Sequence, residues 1–362
     1  MTTRETIDYA KPFADALWFD ILPRAAACPQ LSARVLLHAG PPFLGAPPPP
    51  VINSAVQALL FEGLVSDAAA ARELVLQGRA PLRPAQDYGV VTPLAQVVSA
   101  SMLLIAVKQH GRIGYAPIVE GSVPALRLGS AAPECLRRLR DVGAWIDAAL
   151  APAVRREPLA LAEIIELAIA AGEECHSRTG AANEAMISRL SGLDADGAAR
   201  LRAIPAFVLT VLMAAAATAL RIDGCAIDAI GGNGIDFGIR RRGDPAWRQM
   251  PAEPPCGSRL AGSDATIPLP AIGDSAVIDF CGLGGQALSA APSLASEWRG
   301  ALPADALTRR QELLDPRSGI VDPERIVRAG VAPLINLAIL DRDGTSGLIG
   351  RGFYTPPVAL FR

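Results

Sequence analysis

Hydrophobic positions along this chain change rhythm twice, and each change predicts a different kind of structure. Near the start, Phe13, Leu17, Phe19 and Leu22 recur at a roughly helical spacing before Pro23, which predicts an amphipathic lead-in over residues 1–30. Ala33 to Ala39 is a leucine- and valine-containing run stopped by Gly40-Pro41-Pro42, the signature of a short buried strand with His38 at its end. Pro47 to Pro50 predicts a stiff polyproline II spacer. Asn53 is placed to cap a helix over Ser54–Gly63, and a second helix follows from about Ser66 to Gln77. From Tyr88 to Gly129 short apolar runs are cut by Gly and Pro, which predicts strands and turns, and the polar alternation from Lys108 to Glu120 fits a hairpin or a binding loop.

The middle third reads as helices over Pro133–Leu150, Ala160–Asn183 and an alanine-rich segment ending at Leu220, with a loop at Ser191–Gly197. The last third is glycine-rich. Gly231-Gly232-Asn233-Gly234 separates two apolar segments with tight-turn chemistry. If the second is a strand, Asp236 and Arg240 share one face. Ile272 to Phe280 predicts a strand, and Gly282-Leu283-Gly284-Gly285 leads from it into a helix over Gln286–Ala295. Gly347, Gly350 and Gly352 surround Arg351 in a further glycine loop. Together these segments predict an α+β, multi-domain fold: a mixed α/β part over 1–130, a helical part over 131–222 and a glycine-rich α/β part over 223–362.

Composition narrows the function classes. The net charge is -2, and Arg240-Arg241-Arg242 is the one compact basic run, so no nucleic-acid footprint is expected. Arg4, Glu5 and Asp8 interrupt the opening, so no secretory leader is read and the chain is expected to be cytoplasmic. The longest uncharged apolar run, Ala203 to Leu220, contains Pro205 and is short for a bilayer after it; it predicts a buried helix and no membrane span. The six cysteines are scattered without a CxxC, which argues against a disulfide framework and against a structural zinc site, and no tight ligand cluster suggests another metal.

Chemistry concentrates in Ala160–Asn183. On a helical period Glu166 and Glu173 lie nearly in line, and His176, three residues after Glu173, falls on the adjoining face. Burying such a cluster is costly unless it is paired or bound to something. One reading is a single structural Glu173–His176 hydrogen bond at a helix end; the other is His176 as acid or base oriented by Glu173. Arg178 and Asn183 follow within reach of a ligand there. The Gly282–Gly285 loop, at a strand-to-helix junction, could offer backbone N–H groups to a phosphate or carboxylate, although it lacks the GxGxxG spacing that a nicotinamide dehydrogenase would need, and that function ranks last.

Seven ordered blocks carry a resemblance: LLHAGPP at 36–42, GVVTPLAQVVSASM at 89–102, EGSVPALRLGSAAPE at 120–134, GEECHSRTGAAN at 172–183, GGNGIDFGIR at 231–240, IGDSAVIDFCGLGG at 272–285 and GLIGRGFYTPP at 347–357. With these the chain resembles the YlbE-like family, which includes the AllG subunit of oxamate carbamoyltransferase. It departs in two places. About thirty residues precede LLHAGPP where the family has a longer α/β segment, and Pro84-Ala85-Gln86-Asp87-Tyr88 stands where the family is rich in polar and histidine side chains.

The resemblance implies carbamoyl transfer between oxamate and phosphate, with a small amide or carboxylate and phosphate as ligands, no cofactor, a homo-oligomer and further subunits as partners. On the matching blocks, His176, Glu173 and Asp274 are the candidate catalytic residues. Glu120, Arg178, Asn183, Asn233, Asp236, Arg240, Ser275, Gly282, Gly284 and Gly285 are candidates for binding, with Asn233 and Asp274 fixing the amide. The alternative is a non-catalytic structural subunit of a multi-subunit enzyme. Because each interrupts an otherwise apolar segment, Glu120, Glu173–Arg178, Asn233–Arg240 and Asp274–Gly285 are expected to converge on one cleft between the three parts.

Overall fold

The structure is a computed structural model that describes residues 7–204 and 206–362. Arg4, Glu5 and Pro205 lie outside the described residues. The fold is α+β and multi-domain, with three antiparallel sheets and one short parallel pair among the described residues.

The first sheet orders its strands Arg112–Pro117, Leu103–Gln109, Leu17–Pro23 and Leu159–Ala160. Leu17, Phe19 and Leu22 therefore sit in a strand and not in an amphipathic helix. The residues between Leu17 and Pro23 are bulky or β-branched enough to suit either element, and pairing with Leu103–Gln109 decides the outcome. Helix Phe207–Leu220 packs on this sheet and is buried on nearly every side. Its approach to the sheet is close at Gly114, where a β-carbon would lie 2.4 Å from the Ala214 carbonyl. Among the described residues no single helix is long and apolar enough to cross a membrane.

The second sheet orders Ile272–Gly273, Ile227–Asn233, Asp236–Arg241 and Trp247–Pro251, and the third Cys256–Arg259, Leu348–Tyr354 and Ile335–Leu340. The turn at Gly234, with φ +86°, joins the second sheet's central hairpin as the glycine pattern predicts. The parallel pair joins Leu36–His38 to Leu82–Pro84.

Several element boundaries differ from the sequence expectation, each for a local reason. The helix predicted over Ser54–Gly63 starts earlier, at Pro49, and ends at Phe61, because prolines at the first turn are tolerated where N–H groups are unpaired anyway. Pro49 and Pro50 thus begin a helix and are not part of a polyproline spacer. Asn53 lies inside it, and its side chain reaches the carbonyls of Gly129 and Gly344 instead of capping. The second helix is Ala68–Leu76, capped by Asp67.

The stretch read as one strand over 272–280 is a two-residue strand followed by helix Ala276–Phe280. The stretch read as a helix over 286–295 is a pair of 3₁₀ turns leading into helix Pro292–Glu297. The difference with the largest effect on the chemistry is in Ala160–Asn183, which is not continuous. Helix Ala162–Ala170 ends at Gly172, whose φ of +85° is the left-handed stop that glycine permits, and helix Gly180–Arg189 begins only after a loop.

The loop at Gly40 shows how tightly these parts approach one another. Gly40 has φ +74°, and a β-carbon there would lie 2.4 Å from the backbone of Gly232. Gly40→Ala is therefore expected to cost about 1–3 kcal/mol through overpacking and backbone strain, read as a lower urea midpoint at unchanged m-value.

Candidate functional site

Between Gly172 and Gly180 the chain folds around the carboxylate of Glu174, which is fully buried. That carboxylate accepts hydrogen bonds from the backbone N–H groups of Ser177 and Arg178 and, at 2.9 Å, from the side-chain amide of Asn336. Local bonds of this kind compete with helix continuation and explain why an apolar helix gives way to a loop here. The loop turns His176 inward. Its Nδ1 lies 2.8 Å from Oδ2 of Asp279, on helix Ala276–Phe280, and both side chains are buried.

Glu173 does not pair with His176. Its carboxylate accepts from the N–H of Ala181, 2.7 Å away, and so closes the first turn of helix Gly180–Arg189. The helical-wheel argument for a Glu173–His176 bond fails because the two residues are not on one helix.

Asp279 is the organising group. Oδ1 accepts from the N–H groups of Gly285 (2.7 Å) and Asn336 (3.0 Å), while Oδ2 faces His176. The glycine loop does cradle an anion, but the anion is this carboxylate. A β-carbon at Gly284 would lie 2.2 Å from Asp279 Oδ1, and Gly284 N–H is spent on the Glu174 carbonyl. Burial disfavours the charged His176 ring, yet the Asp279 charge and hydrogen bond, helped by Glu174, outweigh it and hold its pKa above the ordinary 6.5. With Nδ1 committed to Asp279, Nε2 is the ring nitrogen left for a ligand.

His176 lines a cavity of about 520 Å³ together with Glu173, Arg178, Asn183 and Ser275. Arg127, Arg202, Glu184 and Arg351 add charge to its wall, and Pro93, Leu94, Leu209, Leu337 and Leu348 add apolar surface. Leu94, with φ +49°, presses its backbone against Gly273 in a turn held by Thr92. The other two histidines are elsewhere: His110 faces Asp15 on the surface, and His38 is buried against Phe43, its pKa lowered to about 4 by burial.

A family model for oxamate carbamoyltransferase subunit AllG matches residues 81–275. The chain belongs to the AllG family. It is 30% identical to uncharacterized protein YahG of Escherichia coli K12 over 374 residues, 92% of this chain and 78% of that protein. It is 28% identical to oxamate carbamoyltransferase subunit AllG of the same organism over 397 residues, 99% of this chain and 94% of that protein. A solved structure of a conserved protein of unknown function from Enterococcus faecalis V583 superposes with a TM-score of 0.84 over 98% of this chain and 94% of that chain, at 24% identity, and so shares the fold.

The remaining candidates of this AllG-family chain lie outside the set that lines the cavity. Asp274, next to Ser275, accepts from Gly40 N–H, Gln86 and Thr92 N–H, and burial pushes its pKa up to about 7 against those donors. Asn233 spends its amide on the Pro41 carbonyl and on the N–H groups of Ile235 and Asp236. Arg240 is held by Asp87 and Asp228, and Asp236 accepts from Gln249.

Glu120 is buried and accepts from Leu126 N–H; burial raises its pKa while that bond and the charges of Arg127 and Arg138 oppose the rise. At Gly282, φ +81°, a β-carbon would lie 2.8 Å from the Gly319 carbonyl, and Gly285 lies against Leu334. Sequence reasoning passed over Asp279, Glu174 and Asn336. Asp279 sits within the IGDSAVIDFCGLGG block, so a carboxylate four residues after Ser275 was a usable signal once that stretch is taken as a helix.

Proposed function

We propose that this chain is a subunit of a carbamoyltransferase-like enzyme and that the cavity beside His176 is where a small amide or carboxylate reacts. The single observation that carries the reading is the buried His176–Asp279 pair at the cavity wall, 2.8 Å long, on a ring whose other nitrogen has no partner among the described residues. A carboxylate-oriented imidazole is suited to moving one proton.

In the proposed reaction the amide nitrogen of oxamate attacks the carbonyl carbon of carbamoyl phosphate. The new C–N bond forms as the C–O bond to phosphate breaks, phosphate leaves with that electron pair, and His176 Nε2 takes the proton from nitrogen. The products are oxalurate and phosphate. The arginines of the cavity, Arg127, Arg178, Arg202 and Arg351, supply positive charge for two anionic reactants. The relative named as a subunit of oxamate carbamoyltransferase supports a role within an assembly, and other subunits are proposed partners here.

The test is phosphate release from carbamoyl phosphate and oxamate, measured on the purified chain and on the chain co-purified with its genomic neighbours. Oxamate-dependent release in either sample supports the reading. Release in neither, from chain that melts cooperatively, replaces it with the non-catalytic subunit.

A further inference from the structure

Ser177, Thr179, Thr210 and Ser275 carry hydroxyls on the cavity wall. Thr210 donates its own to the Phe207 carbonyl, 2.8 Å away. Ser275 is 4% exposed, and its hydroxyl has no hydrogen-bond partner among the described residues, yet it is not sealed off and borders the cavity. It stands directly before helix Ala276–Phe280, the position at which a serine ordinarily caps a helix. Here no side-chain cap forms, because the backbone of Ser275 is already helical, with φ −60° and ψ −14°. The hydroxyl is left to the cavity. Asp274 fixes this point of the chain: its carboxylate accepts from the N–H groups of Gly40 and Thr92, each at 2.8 Å, and its own N–H donates to the Thr92 carbonyl.

Strand Ile272–Gly273 runs into this serine and a helix runs out of it, with Gly273 at φ +120° between them. A sharp strand-to-helix turn of this kind presents the nucleophilic serine of many hydrolases, although Val277 stands where that elbow has its second glycine and Ser275 itself is unstrained. Asp279 follows one turn along the same helix. Residues four apart share a helix face, and helical side chains lean towards the N-terminus, so the Asp279 carboxylate leans back over the turn that Ser275 opens. That carboxylate holds His176 Nδ1 at 2.8 Å, and the His176 ring lines the same cavity, its Nε2 neither sealed off nor partnered among the described residues. Hydroxyl, imidazole and buried carboxylate thus share one wall as a nucleophile, its base and the group that orients the base. Cys175, in the His176 loop, is no rival: it is fully buried, and burial pushes its thiol well up and keeps it protonated.

We propose that Ser275, His176 and Asp279 give this chain a serine acyl-transfer activity towards small activated esters. Ser275 Oγ attacks the acyl carbon and forms a C–O bond to it while His176 Nε2 takes the hydroxyl proton. The bond to the leaving oxygen breaks with its electron pair, and that oxygen receives the proton from Nε2. Water then attacks the acyl-serine and gives a proton to Nε2; Ser275 Oγ departs with the electron pair and regains that proton. Nothing is oxidised or reduced, and water is the one co-reactant. Asp279 takes no proton in the cycle and keeps hydrogen on Nδ1, so that Nε2 is the base. The activity goes beyond carbamoyl transfer, which forms no bond to the protein in the course proposed above, and shares with it the cavity and His176.

The experiment follows p-nitrophenol release from p-nitrophenyl acetate by the full chain, with the acetylated residue located by peptide mass mapping of acid-quenched protein. Wild type is expected to give a burst followed by steady turnover, with the acetyl group on Ser275. Ser275→Ala, checked by thermal melting, should lose burst and label and turn over at least about 100-fold more slowly. His176→Asn should slow acetylation about 100- to 10,000-fold. Ser275→Cys keeps a nucleophile in place and should still be acetylated there, which separates lost chemistry from lost fold. An acetyl group found only on Ser177 or elsewhere, turnover unchanged in Ser275→Ala, or no burst from wild type that melts cooperatively overturns the proposal. The carbamoyl-transfer reading fails separately: oxamate-dependent phosphate release without acetylation of Ser275 keeps that reading and removes this activity, and acetylation of Ser275 without such release does the reverse.

Discussion

His176→Asn is expected to leave a folded chain whose oxamate-dependent phosphate release is lowered about 100- to 10,000-fold, the usual worth of general acid–base catalysis. The change removes Nε2, the one imidazole nitrogen of the cavity, while an asparagine side chain is short enough to stay inside the same pocket. Asp279 Oδ2 loses its donor, so a stability loss of about 1–3 kcal/mol accompanies the change whichever role His176 has. Turnover per folded molecule separates the roles. A fall that merely tracks the folded fraction assigns His176 to structure alone, and undiminished turnover removes it from the mechanism. Oxamate affinity should change little, because the change removes a proton acceptor and leaves the arginines that line the cavity in place.

Asp279→Asn should reduce turnover as severely by a different route. The asparagine oxygen can still accept from Gly285 and Asn336, but its NH₂ then faces His176 Nδ1 and turns that nitrogen into an acceptor. The ring is forced into the tautomer with hydrogen on Nε2, and Nε2 can no longer accept a proton. Asp279→Ala removes the acceptor outright and leaves buried donors unpaired, at a cost of about 3–5 kcal/mol.

The pH dependence has a definite sign. The folded pKa of His176 lies above 6.5, so between those values the folded chain holds a proton that the unfolded chain has released, and stability falls as pH rises. The stabilisation is complete below 6.5 and is lost as pH passes the folded value. Urea midpoints of wild type and Asp279→Asn should therefore differ more at about pH 5.5 than at about pH 9. A gap that widens with pH contradicts the ion pair.

How much of this could be read in the sequence depended on the range over which each feature is decided. The hairpin at Gly231–Gly234 and the alanine-rich buried helix are local properties of composition and period, and they are present as expected. The family blocks were legible, and the AllG family is the one to which the chain belongs. The misreadings share a cause. Leu17–Pro23 suited a helix as well as a strand until Leu103–Gln109 supplied a pairing partner. Ala160–Asn183 held its period up to Ala170, and the break came from Gly172 and from a Glu174 carboxylate whose importance depends on Asn336, far away in the chain. Likewise the glycine loop was seen as anion-binding, and what was hidden was that Asp279, a few residues earlier, is the anion.

The loop that carries His176 is closed by contacts with residues that come much later. Its partner Asp279 follows 103 residues after it, and Asn336, which grips the Glu174 carboxylate, follows Glu174 by 162. During synthesis on the ribosome, helix Ala162–Ala170 and the histidine beside it are exposed to solvent long before anything exists to orient them. The imidazole meets its carboxylate only after most of the chain has been released, and the strand Ile335–Leu340 is what locks the loop. A nascent chain stalled before that strand would carry both residues of the His176–Asp279 pair without Asn336, whose N–H and side chain hold Asp279 and Glu174, so the complete geometry of the pair waits for the last part of the chain.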